Sequence, residues 1–130
     1  LVEQQFDKKQ PKSGLDFEEH FEFIMSKWKA NEIQNTPESY VNFVERVSEV
    51  FDILKNSGES ILVVTSGGII AKVLQNFLGL SDKVMIKFLL ASMNTGVTIL
   101  NYSNGHFNVE QVNALPHLDH SSRIKSRTYF

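Results

Sequence analysis

Three features of the 130-residue sequence predict a mixed α/β fold. The run Ile61-Leu62-Val63-Val64 is apolar at every position, the pattern of a strand covered by helices on both faces of its sheet. It passes through Thr65-Ser66-Gly67-Gly68 straight into an apolar stripe at helical spacing. Farther on, two β-rich runs flank Asn104-Gly105, a pair suited to the positive φ angles of a tight hairpin turn.

The elements follow in order. The opening "LVEQQFDKKQPKSG" is polar, holds Pro11 and Gly14, and reads as a strand end or loop followed by a linker, part of it mobile. From Leu15, the residues Phe17, Phe21, Ile24, Met25 and Trp28 recur at helical spacing, with Glu18, Glu19, Glu22, Lys27 and Lys29 on the opposite side. A second amphipathic helix is expected from Thr36 as N-cap and Pro37 at its first position. Its buried stripe is Tyr40, Val44, Val47, Phe51 and Leu54, and Gly58 ends it. The strand Ile61 to Val64 should be central in its sheet. The helix beginning near Gly68 buries Ile69, Ile70, Val73, Leu74 and Phe77 and stops at Gly79. Ser81 caps a shorter helix with Val84, Met85, Phe88 and Leu89 on its apolar side. The hairpin around Ser103-Asn104-Gly105 comes next, and the tail "ALPHLDHSSRIKSRTYF" is irregular. The chain shows no internal repeat and no low-complexity segment.

Composition narrows the function classes. A chain of this length buries about two-thirds of its unfolded surface, enough for one core, so a single domain over residues 1–130 is expected, with 1–14 partly flexible. Thirteen Lys and Arg against fifteen Asp and Glu give a net charge of -2, too even for a nucleic-acid partner or an anionic membrane. With no cysteine, neither a disulfide nor a thiolate metal site exists, and a cytoplasmic setting is expected. No apolar run approaches the roughly 20 residues of a membrane span. The amino terminus has no secretion signal and starts at Leu1 rather than Met, so the chain reads as beginning partway through a longer product.

The glycine turn is the main candidate site. A strand delivering small residues to a helix start makes an anion site, because the first helical N–H groups lack partners and the macrodipole is positive there. Ser66, Gly67 and Gly68 are therefore the candidate phosphate ligands. The structural alternative is that the two glycines only permit a sharp turn and close packing. A P-loop is excluded, because no Gly-Lys-Ser/Thr follows.

In sequence order, "VVTSGGIIAKVLQNFLGL", "NTGVTIL" and "NALPHLD" resemble the histidine phosphatase, or phosphoglycerate mutase-like, superfamily, and upstream "TPESYVNFVERV" resembles the family's Glu-Ser helix. The resemblance spans about Thr36 to Asp119. It implies a three-layer α/β/α sheet, incomplete on its amino-terminal side, and phosphomonoester hydrolysis through a phosphohistidine with no metal or organic cofactor. It departs from the family twice. The nucleophilic histidine of an Arg-His-Gly motif has no counterpart in these residues, and Ser66 stands where the family's second pocket histidine would fall. A serine hydroxyl can bond a phosphate oxygen but brings no positive charge. The chain alone is therefore expected to be inactive.

By the same resemblance, Glu3 in "LVEQQF" corresponds to the general acid that protonates the leaving alcohol. Its alternative is a solvated glutamate at a frayed end. Asn94, Thr95 and His117 correspond to the pocket wall, although Asn94 and Thr95 equally suit the start of a strand, and His117 after Pro116 equally suits an exposed loop. His20, His106 and His120 have no ligand spacing, so no metal is expected. The aromatic residues fit core packing better than base stacking.

Two further function classes remain open. Ser66 on a strand-to-helix turn half matches the nucleophile elbow of serine hydrolases, with Gly68 after it but Val64 in place of the preceding glycine. His117, Asp119 and Asp82 would be the remaining candidates for a triad. The other class is a non-catalytic phosphate-binding or protein-interaction module. The expected ligand is a small phosphorylated substrate, and a sheet edge left open by a central strand would favour self-association.

Overall fold

The computed structural model describes residues 14–58 and 60–129, with side chains from residue 17 onward. Glu3 lies outside the described residues. The chain divides into two units, Leu1–Ile53 and Leu54–Phe130.

In the first unit, α1 (Gly14–Lys29) places Phe21, Ile24, Met25 and Trp28 on its half-buried side, while Phe17 is exposed. The helix α2 runs Tyr40–Asn56, three residues shorter at its start than the sequence suggests. The cap is Ser39 rather than Thr36: the Ser39 hydroxyl accepts from Asn42 N at 3.1 Å. The cause is tertiary. In a helix begun at Pro37, the Glu38 carbonyl would serve Asn42 N, but here it accepts Trp28 Nε1–H at 2.9 Å. The Glu38 carboxylate also receives Arg46 Nε and Nη2, both at 2.8 Å, in a two-pronged pair. The hydrogen bond from Arg46, more than its charge, holds the Glu38 carboxyl below the usual range. That contribution is present at neutral pH and disappears as the pH falls through the lowered value. Trp28, Tyr40 and Phe43 form an aromatic cluster with centroids 5.2 to 6.3 Å apart, and Val47 is buried.

In the second unit, α3 (Gly67–Leu78) packs against α4 (Asp82–Leu90). Ala71, Leu74, Met85, Ile86, Leu89 and Leu115 are the buried apolar residues of this unit. Gly79 ends α3 at φ 62, and Ser81 caps α4 by accepting Val84 N at 3.3 Å. Both are local rules, and both hold.

Strands β1 (Val97–Ser103) and β2 (His106–Ala114) form an antiparallel hairpin, turning at Asn104 (φ 52) and Gly105 (φ 80) as the Asn-Gly pair predicts. Tyr102 faces Phe107 across the strands at 4.4 Å, and Phe107 stacks on Phe77 of α3 at 4.1 Å. The register slips twice before Leu100, so β2 carries two more residues than its partner. The extra length turns Asn113 to φ 51 near the end of β2.

The expected strand Ile61 to Val64 is a correction. Residues 61–66 belong to no helix or strand, and the sheet of the described residues has only β1 and β2. Leu62 is 88% and Val64 91% exposed, with Ile61 and Val63 near half. An apolar run becomes a strand only when a neighbour supplies its backbone partners, and none of the described strands does so.

Candidate functional site

Ser66 sits immediately before α3 in extended conformation, φ -91 and ψ 159, and its side chain makes no cap hydrogen bond. Its carbonyl accepts Ile69 N at 3.1 Å and Ile70 N at 3.2 Å. Gly67 and Gly68, the first two residues of α3, have no carbonyl one turn earlier in the helix for their N–H groups to reach. The glycines divide the two roles assigned to them. A Cβ on Gly67 would lie 3.3 Å from Ser92 Cβ and 3.4 Å from Ser92 Oγ, so Gly67 is there for close packing against the end of α4. A Cβ on Gly68 would meet nothing within 4 Å, so Gly68 faces open space.

Ser92 was not foreseen as part of the site. It closes α4 by donating its hydroxyl to Phe88 O at 2.9 Å, and nothing in "ASMNTG" marks it as a neighbour of the glycine turn. The next residues form a tight turn. Gly96 N bonds Met93 O at 3.0 Å, and Thr95 has φ 64, an uncommon value for a β-branched residue. Asn113, also unforeseen, clamps this turn from the bulged end of β2: its Oδ1 accepts Met93 N at 2.9 Å and its Nδ2 donates to Ala91 O at 2.8 Å. A Cβ on Gly96 would collide with Asn113 Oδ1 and press on Met93 O. Gly96→Ala should therefore displace the Asn113 clamp and destabilise the protein by about 1–3 kcal/mol in urea unfolding.

Among the candidate wall residues, the structure brings Thr95 and His117 together, with Thr95 Oγ1 2.9 Å from His117 Nε2. Asn94 is turned elsewhere: its Nδ2 reaches Thr128 Oγ1 at 2.9 Å and its backbone N reaches Thr128 O at 2.9 Å. His117 lies in the short 3-10 turn Pro116–Leu118. The residues proposed for a serine triad are engaged apart from one another. Asp119 pairs with Arg127 at 3.2 Å, Asp82 receives Gln75 Nε2 at 2.8 Å, and His117 Nε2 is on Thr95. No group of three or more His, Asp or Glu among the described residues is placed to hold a metal ion.

Gly67 and Gly68 thus open α3 beside Ser92 at the end of α4. The chain belongs to the histidine phosphatase superfamily (branch 1), whose family model matches residues 1–115. Four helices and a two-stranded antiparallel sheet among the described residues are consistent with part of a phosphoglycerate mutase-like fold. The match starts well before Thr36 and stops two residues before His117, so it takes in Glu3 and the glycine turn but only the first two residues of the tail. Comparison with curated proteins and with solved structures finds no match. No helix among the described residues is long and apolar enough to cross a membrane.

Proposed function

We propose that this chain binds the phosphoryl group of a small phosphomonoester at the N-terminus of α3. Ser66 supplies a hydroxyl there, and Gly67 and Gly68 supply N–H groups. The observation that carries the reading is the pair of glycines at the first two positions of α3, one packed on Ser92 and the other opening outward, in a chain of a phosphatase superfamily. Hydrolysis would pass through a phosphohistidine in a protein that also carries an Arg-His-Gly segment, with Glu3 as the acid that protonates the leaving alcohol. No cofactor is needed for that chemistry, and a cytoplasmic setting suits it. Without the histidine, these residues bind phosphate and do not turn it over.

The test is a titration with inorganic phosphate or vanadate, followed by amide NMR. The Gly67 and Gly68 signals should shift saturably and move more than those of the other helix starts. Anion-induced shifts confined to other residues would overturn the reading.

Self-association belongs to the same proposal. Residues 61–64 are uncharged, flanked by Ser60 and Thr65, and exposed on both sides. Two copies paired antiparallel through this run would set apolar side chains opposite one another with no like charges opposed.

A further inference from the structure

We propose that His117 is a positioning residue for the candidate anion site: it donates from Nε2 to Thr95 Oγ1 and so holds the turn that sets Ser92 against Gly67. The inference rests on the phosphate reading of the glycine turn and adds to it a residue that touches no ligand.

The donor direction follows from counting hydrogens. The Thr95 hydroxyl has one, and it is donated to Asn94 O at 2.6 Å. With that hydrogen on Asn94 O, the 2.9 Å contact is assigned to His117 Nε2–H as donor, the Nε2–H form of the ring. A left-handed threonine is strained and persists only where its surroundings over-determine it. Here they do so from three directions. Asn113 holds Ala91 and Met93 from β2. Thr128 and Tyr129 hold Asn94, with Met93 and Tyr129 forming an isolated bridge. His117 holds Thr95 itself.

Two of these three holds come from residues 116–129, the stretch beyond the family match. That stretch is itself braced, since Arg123 Nη1 donates to His117 O at 3.1 Å and Arg127 pairs with Asp119. The wall of the candidate site is thus held jointly by Asn113 and by a tail outside the matched residues. Ser92 lies three residues before Thr95, so loosening the turn changes the contact that defines the packed side of the glycine mouth.

The test uses the full 130-residue chain. Imidazole 15N–1H correlation should show His117 as the Nε2–H form. His117→Leu should shift the amide signals of Thr95, Ser92 and Gly67 and weaken inorganic phosphate binding about three- to tenfold, the effect of one lost hydrogen bond. His117→Gln, whose side-chain amide can donate at similar reach, should restore most of both, which mere loss of bulk would not predict. Thr95→Val, which keeps the shape and removes the hydroxyl, should reproduce the leucine variant and serves if that variant does not fold. An Nδ1–H ring in the parent chain would overturn the proposal. So would Ser92 and Gly67 amides unmoved in both variants. If phosphate fails to shift Gly67 in the parent chain, the phosphate reading falls, while the ring form and the variant shifts still decide the role of His117.

Discussion

The 130-residue chain hydrolyses p-nitrophenyl phosphate no faster than background, and Ser66→His does not rescue it: this is the expected result with the largest consequence. Two histidines of the family pattern are missing, and their effects differ in size. Removing a covalent nucleophile costs on the order of 10⁶ in turnover, whereas removing one electrostatic donor costs about 10²–10³. The absent Arg-His-Gly histidine therefore decides the outcome, and restoring charge at position 66 cannot replace it. Ser66 is exposed, its side chain makes no cap hydrogen bond, and the His117 Nε2 that a serine triad would need lies on Thr95 Oγ1. In a longer protein carrying the Arg-His-Gly segment, turnover should appear, and Ser66→His should preserve or raise it. Fast turnover by the 130-residue chain, abolished in Ser66→Ala, would sink the phosphohistidine account and favour a serine nucleophile.

What could be read from the sequence follows the reach of each rule. Ser81, Gly79 and Asn104-Gly105 act within four residues, and the structure places each as a cap or turn. Thr36 satisfied the same local rule for α2 and lost to Ser39, because Trp28, ten residues before Glu38, claims the Glu38 carbonyl. The run 61–64 carries the composition of a buried strand, but pairing depends on a neighbour that composition does not name. The site divides in the same way. Ser66, Gly67 and Gly68 could be placed at the start of a helix because a helix start and two glycines are sequence-local features. Ser92 and Asn113 could not be foreseen, since one meets Gly67 only when α4 folds back on α3 and the other acts across 20 residues through a bulge. Thr95 ran against propensity altogether, as no rule places a β-branched residue at φ 64. The family resemblance placed Thr95 and His117 separately at the pocket wall, and their contact comes from the structure alone.

The contrast between buried and exposed apolar residues gives the second large effect. Leu74 is 1% exposed between α3 and its surroundings, with Met85, Ile86 and Leu89 of the packed helix α4 also buried. Leu74→Ala removes buried methyl groups and leaves a cavity that two packed helices close only partly, so unfolding in urea should show a loss of about 2–5 kcal/mol. Leu62 and Val64 are as apolar in composition but are 88% and 91% exposed. Leu62→Ser with Val64→Ser should then change the unfolding free energy of the isolated chain by no more than about 0.5 kcal/mol per substitution, since surface changes remove little packing. The double variant should instead act on association, lowering the sedimentation coefficient or the light-scattering mass at high concentration if copies pair through residues 61–64. A fall in stability on the scale of Leu74→Ala would mean that this run is packed within a single chain in solution and that the exposed segment is not its resting state. Unchanged association would remove residues 61–64 as the contact between copies.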